Sequence, residues 1–217
     1  MVNKKAREVV SVTVILFFVA FIFGIIFQNI HGYSSIITQI SYYLILIFII
    51  VFTIKKYEGK KMISIGLHTK GLSKQVLIGL GIFLVLSLVT ILPILMGVSK
   101  QEVLNFKPRN VAILIYFIFF DICLVGFGEE LIFRGYFLER INEILGSKIW
   151  AVLISSILFG LYHYPTNHSV QQVITATIFG IIFSMCKLKI KNCGLISLAI
   201  AHGLNDAFII FLGYFLL

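Results

Sequence analysis

Seven stretches of this chain run for about the thickness of a bilayer with almost no charge. They are Val9–Phe27, Ile36–Ile54, Gln75–Val98, a run beginning near Val111, Ile149–Tyr164, Val170–Met185 and Cys193–Leu217. A helix needs roughly 20 apolar residues to cross the hydrocarbon core. No water is available there, so the backbone must satisfy its own hydrogen bonds, and helices do so segment by segment. The composition agrees: 59% of residues are hydrophobic and 12% charged, against about 45–50% and 25% in soluble domains. The expected fold is all-α, a polytopic membrane bundle of about seven transmembrane helices. A break near Asn205–Asp206 would make eight. The expected organisation is one integral membrane domain over 1–217, with N-terminal helices in 1–109 and a catalytic core in 110–217. The first apolar run comes after a short basic start but exceeds a signal-peptide core, so it reads as an uncleaved first helix.

The net charge of +9 does not imply a nucleic-acid partner. Basic residues cluster in the turns, as when they fix topology. The segment Lys55–Lys74 holds six lysines and one glutamate, and Lys187–Lys191 is a second basic turn. With the N-terminus cytoplasmic, 15 of the 18 basic residues fall on the inner side. The expected location is the cell membrane, multi-pass, with the lipid bilayer as the surrounding partner. Cys123, Cys186 and Cys193 lie in or beside apolar runs without C-x-x-C spacing, which excludes a disulfide scaffold or cysteine-zinc site.

Against this background Glu129-Glu130-Leu131-Ile132-Phe133-Arg134-Gly135 stands out. A charge at bilayer depth costs about 2.5–3.5 kcal/mol on insertion scales. On a helix Glu130 and Arg134 stand at i,i+4 and can pair. Glu129 then projects about 100° away. One carboxylate neutralised by arginine leaves the other as a base, so Glu130 reads as the structural member and Glu129 as the general base.

Gly146 lies midway between Glu129 and His163, so an antiparallel hairpin turning there brings the two to similar height. Phe159 shares a face with His163. In the last apolar run His202, Asn205 and Asp206 share a face by i+3 and i+4 spacing. Glu129, Glu130, His163, His202, Asn205 and Asp206 are thus expected to converge at mid-membrane depth. Amide hydrolysis needs an activated water, a proton donor for the leaving amine and donors to the oxyanion, and these side chains supply such groups. Asp121 reads as a buried structural hydrogen-bonder, Glu139, Arg140 and Glu143 as a charged helix end, and His31, His68 and His168 as solvated loop residues.

Glu129-Glu130-x-x-x-Arg134, Phe159-x-x-x-His163 and His202-x-x-x-Asp206, in this order on hydrophobic helices, resemble the motifs of the CAAX-protease and bacteriocin-processing (Abi) family of intramembrane proteases. That family includes the type II CAAX prenyl endopeptidases. The resemblance covers roughly Val111 to Leu217. It implies a membrane endopeptidase acting on a membrane-associated protein or peptide. Glu129 and His163 would activate water, and His202 with its helical neighbour would stabilise the oxyanion. Many members have Asn at the last motif position, where this chain has Asp206. An ionised aspartate accepts but cannot donate, so either Asn205 supplies the donor or Asp206 orients His202. Two histidines and a glutamate also suit zinc with an open fourth position, so Glu129, His163 and His202 are the ligand set if metal is used. The favoured expectation is metal-free. Competing readings are a non-catalytic bacteriocin-immunity or scaffold protein and a proton-coupled transporter. The latter commonly shows paired repeats with broken helices, and the sequence has no internal repeat.

Overall fold

The computed structural model describes residues 2–104 and 106–217. Asn105, within the expected polar loop Ser99–Asn110, lies outside the described residues. The described residues form helices and turns without strands, and seven helical runs are long and apolar enough to cross a membrane. The protein is an all-α integral membrane protein. The spanning helices are α1 (Val2–Asn29), α2 (Tyr33–Phe52), α3 (Leu72–Leu95), α4 (Val111–Leu145), α5 (Lys148–Tyr162), α6 (Val170–Lys189) and α7 (Leu195–Leu216). Pro93 falls in the last turn of α3, and its carbonyl accepts from the Val98 amide at 2.9 Å. The break expected near Asn205–Asp206 does not occur: α7 runs unbroken past both. Polar side chains alone do not break a helix when its backbone ladder stays intact.

Local sequence sets the helix ends. The Asn110 side chain accepts from the Ile113 amide at 2.9 Å and caps the start of α4, satisfying one of the amides a helix start leaves open. Gly146 ends α4 in the left-handed region, φ 63°, where a Cβ is costly. Within α4 the winding changes twice. Asp121–Val125 and Leu131–Phe137 are π-helical, flanking the short α-helical turn Gly126–Glu130. Such wide turns insert an extra residue and re-aim everything beyond it.

Contacts divide the chain into two compact units. In the first, Met1–His68 with Glu130–Lys191, α5 packs on α6 and α1 on α2. Small residues allow the close approach of α5 and α6. A Cβ on Gly160 would collide with the Thr177 hydroxyl, and one on Gly180 would stand 2.9 Å from the Ser156 Cβ. Close backbone packing of this kind holds helices together where lipid supplies no hydrophobic drive. Leu46, Ile50 and Ile54 are buried, whereas Phe18, Phe48 and Phe52 face outward.

Arg140 differs from the expected charged helix end. It is 2% exposed, and its Nε and Nη2 donate to the two carboxylate oxygens of Glu58 at 2.9 and 2.7 Å, while Nη1 donates to Glu143 at 2.7 Å. The segment after α2 folds back and delivers Glu58, a long-range event that helix periodicity does not encode. Lys187 is likewise more than a topology-setting cation. Its ammonium donates to Glu139 and to the Arg134 carbonyl, both at 2.6 Å.

In the second unit, Thr69–Glu129 with Asn192–Leu217, α7 packs on α3 and on the first half of α4. The α4–α7 contact is made at glycines. A Cβ on Gly126 would lie 2.7 Å from the Ala199 carbonyl oxygen, and one on Gly203 would lie 2.6 Å from Ile122 Cα and 2.7 Å from the Asp121 oxygen. These are backbone atoms and cannot swing aside. Gly203→Ala should therefore push α4 and α7 apart and lower the melting temperature in detergent, at a cost of about 1–3 kcal/mol. Gly81→Ala, where an added Cβ meets nothing within 4 Å, should leave it unchanged or slightly higher. Equal melting temperatures for the Gly203 variant and wild type would show the contact to be slack.

Candidate active site

The three motifs are divided between the two units. Glu130, Arg134, Phe159 and His163 lie in the first; Glu129, His202, Asn205 and Asp206 lie in the second. The unit boundary passes between the two adjacent glutamates.

In the first unit Glu130 and Arg134 form a fully buried pair, Oε1 to Nη1 at 3.1 Å. The guanidinium lies over the Phe159 ring, 4.1 Å from its centroid, and 5.3 Å from that of Phe183. An arginine is weakly hydrated and planar, so it suits an aromatic slot of this kind better than lysine would. The other side of the motif is His163. It stands edge-on to Phe159, with ring centroids 4.8 Å apart, and its Nδ1 lies 2.8 Å from the Phe159 carbonyl oxygen. A carbonyl only accepts, so Nδ1 carries the proton and Nε2 is the basic nitrogen of the neutral ring. His163 comes directly after the last residue of α5. Phe159 therefore stands between the arginine that neutralises Glu130 and the histidine.

In the second unit Glu129 is 3% exposed. The Nε2 of His202 stands 3.7 Å from Glu129 Oε2 and 3.3 Å from Asp206 Oδ2. One imidazole nitrogen thus faces two carboxylates, one buried and one on the partly open side. Asn205 is buried and turned elsewhere, its Oδ1 accepting from the Thr90 hydroxyl at 3.4 Å. The glycine contact between α4 and α7 brings the pair together: Gly126 lies one turn before Glu129, and Gly203 is next to His202.

Asp121 is the residue that spacing underrated. It is buried and interacts electrostatically with Asp206, His202 and Glu129. In an α-helix Asp121 and Glu129 would be about 80° apart around the axis. The π turn at Asp121–Val125 absorbs one residue, which reduces the separation to about 20°. The signal available in the sequence was an aspartate inside an apolar run, which is itself a reason to suspect a functional face.

Among the described residues no three His, Cys, Asp or Glu side chains form a group able to hold a metal ion.

The burial of Glu130 and Arg134 makes a direct test. Arg134→Ala would leave the carboxylate without its cation, at about 3–5 kcal/mol. It should sharply reduce the yield of folded protein from membranes, measured by size-exclusion chromatography. Arg134→Lys should recover only part of it, because an ammonium cannot lie flat against Phe159. Wild-type yield from the alanine variant would show the pair to be dispensable.

No curated protein and no solved structure matches the chain. Residues 111–208, just under half of the chain and including all three motifs, match the family described as type II CAAX prenyl endopeptidase Rce1-like, in agreement with the resemblance read from the motifs.

Proposed function

We propose that the protein is an intramembrane endopeptidase that hydrolyses a peptide bond of a membrane-associated protein or peptide. The observation that carries this reading is the buried contact between Glu129 and His202, on helices of an apolar protein that resembles a membrane protease family. In this mechanism Glu129 takes a proton from water, and the water oxygen attacks the scissile carbonyl. His202 stabilises the charge that develops on the carbonyl oxygen. Glu129 then returns the proton to the leaving amine, as a general base must when it turns acid. Asp206, 3.3 Å from the same imidazole nitrogen, is a positioning residue that orients the ring of His202. Of the two roles open to the last motif, this one is favoured by the distances, since Asn205 is turned toward Thr90.

The family resemblance adds His163 as a partner in activating the water. Its basic nitrogen is Nε2, because Nδ1 is committed to the Phe159 carbonyl. Glu130 serves the site indirectly, as the anchor of Arg134. On this reading the core spans 110–217 and the preceding helices support it. The distribution of basic residues favours a cytoplasmic N-terminus in the cell membrane.

The decisive measurement is the cleavage rate of one membrane peptide by purified variants. Glu129→Gln keeps size and polarity but removes the base, so the rate should fall by at least about 10²–10⁴-fold with folding intact. His163→Ala should be similarly severe, and Asp206→Asn milder. A wild-type rate from Glu129→Gln together with a dead but folded Glu130→Gln would exchange the roles of the two glutamates. A wild-type rate from both would show that the protein is not a peptidase of this kind, and no cleavage by the wild type itself would favour a scaffold or immunity role. Extended chelation separates the remaining possibility. The proposed reaction should survive it, whereas activity lost to chelator and restored by zinc would move Glu129, His163 and His202 into ligand roles.

A further inference from the structure

Between α1 and α2, within the first unit, runs a groove of about 760 Å³, within the range of small-ligand sites. Its lining is graded along the helices. Lys4, Arg7, Glu8 and Tyr57 line one end, Ser11 and Phe52 come next, and Ile15 and Phe48 lie deepest. At 1.5 Å per residue, Lys4 to Ile15 covers about 16 Å and Phe48 to Tyr57 about 13 Å. That is about half of a 30 Å hydrocarbon core. The groove therefore begins at a charged helix end and stops near mid-bilayer, the depth of one leaflet.

The charge at its mouth is positive. Lys4 and Arg7 face one carboxylate, Glu8, among the described lining residues. Lys55 and Lys56 stand exposed on the turn beside Tyr57. Phe48 and Phe52 are exposed on the outward side of α2 with ring centroids 5.8 Å apart, forming an aromatic wall. A cationic mouth, an apolar channel one leaflet deep and an open side facing lipid match one class of ligand.

We propose that this groove is a specific site for an anionic phospholipid of the surrounding bilayer. The phosphate rests against Lys4 and Arg7, and one acyl chain lies between α1 and α2 along Ile15, Phe48 and Phe52. Basic pockets between transmembrane helices recognise phospholipid headgroups in this way. The bound chain fills the groove between the two helices and so braces α1 against α2. This site is independent of the peptidase reading, because it uses none of the motif residues.

The full-length protein is reconstituted in nanodiscs holding equal amounts of phosphatidylglycerol and phosphatidylcholine. Lipid retained on release into the gas phase is then counted by native mass spectrometry. One phosphatidylglycerol should remain in preference to phosphatidylcholine. Lys4→Gln combined with Arg7→Gln should reduce that retention about tenfold or more. Ser11→Phe, which leaves both cations in place but fills the channel, should reduce it similarly. Lys55→Gln with Lys56→Gln should have a smaller effect. Inorganic phosphate added to detergent-purified protein should not raise the melting temperature, whereas phosphatidylglycerol should. Equal retention of the two lipids, retention undiminished in either groove variant, or the same stabilisation by phosphate alone would each overturn the proposal. So would a larger loss from the Lys55 and Lys56 changes than from Lys4 and Arg7, which would indicate a diffuse basic surface.

Discussion

A guanidinium with almost no exposure to solvent constrains everything around it. Arg134 sits in apolar surroundings with Glu130 at 3.1 Å and Phe159 beneath its plane. Breaking such a pair costs far more than forming it gains. Once Arg134 is placed, Glu130 is committed to it, Phe159 must stay flat against it, and the turn after Phe159 must present His163 edge-on to that same ring. The Arg134 backbone is held as well, by the Lys187 ammonium on its carbonyl. An arginine that would be a liability in a membrane helix thus fixes the positions of three neighbouring side chains. The arrangement also accounts for having two glutamates in succession. On the proposed mechanism the first serves as the base while the second is committed to charge balance.

The two π turns of α4 shape the local geometry on either side of the glutamates. They lie immediately around the Gly126–Glu130 turn, so the residues with chemistry sit on a short α-helical step between two wide ones. Each wide turn rotates the chain beyond it relative to a regular helix. The first brings Asp121 round toward the face of Glu129, adding a third carboxylate to the surroundings of His202. Glycines complete the arrangement from the other side. The backbone of α4 approaches α7 at Gly126 and Gly203 closely enough that no side chain fits between them. The distance from Glu129 to His202 results from that approach. The geometry of the Glu129–His202 pair depends on residues that carry no functional group.

Much of this is legible in the order of residues alone. Long apolar runs imply the seven helices, because lipid leaves the backbone no other choice. The i,i+4 spacing of Glu130 and Arg134 implies their pairing, and Gly146 marks the turn. The features that escape such a reading are non-local or depend on winding. Arg140 reads as a helix-end charge because nothing in its own helix reveals that Glu58 folds back over it. Asp121 reads as a buried structural hydrogen-bonder because the π turn that brings it round toward the face of Glu129 leaves no mark in the spacing. The expected break at Asn205–Asp206 fails for the opposite reason: a polar pair suggests irregularity, while α7 keeps its ladder and uses the pair in opposite directions. Asn205 turns to Thr90, and Asp206 turns back along the helix to His202.

That last divergence bears on the departure from the resembling family, in which asparagine is common at the final motif position. An asparagine there can donate to an oxyanion, whereas an ionised aspartate cannot. Asp206 offers something else. Its carboxylate lies nearer to the His202 nitrogen than Glu129 does, 3.3 against 3.7 Å. A histidine held between two acceptors keeps its proton on the nitrogen that faces them. On the proposed mechanism Asp206 therefore acts through His202, by fixing which nitrogen carries the proton and how the ring is turned, rather than as an oxyanion donor in its own right. Asn205, buried against Thr90, is turned away from that imidazole.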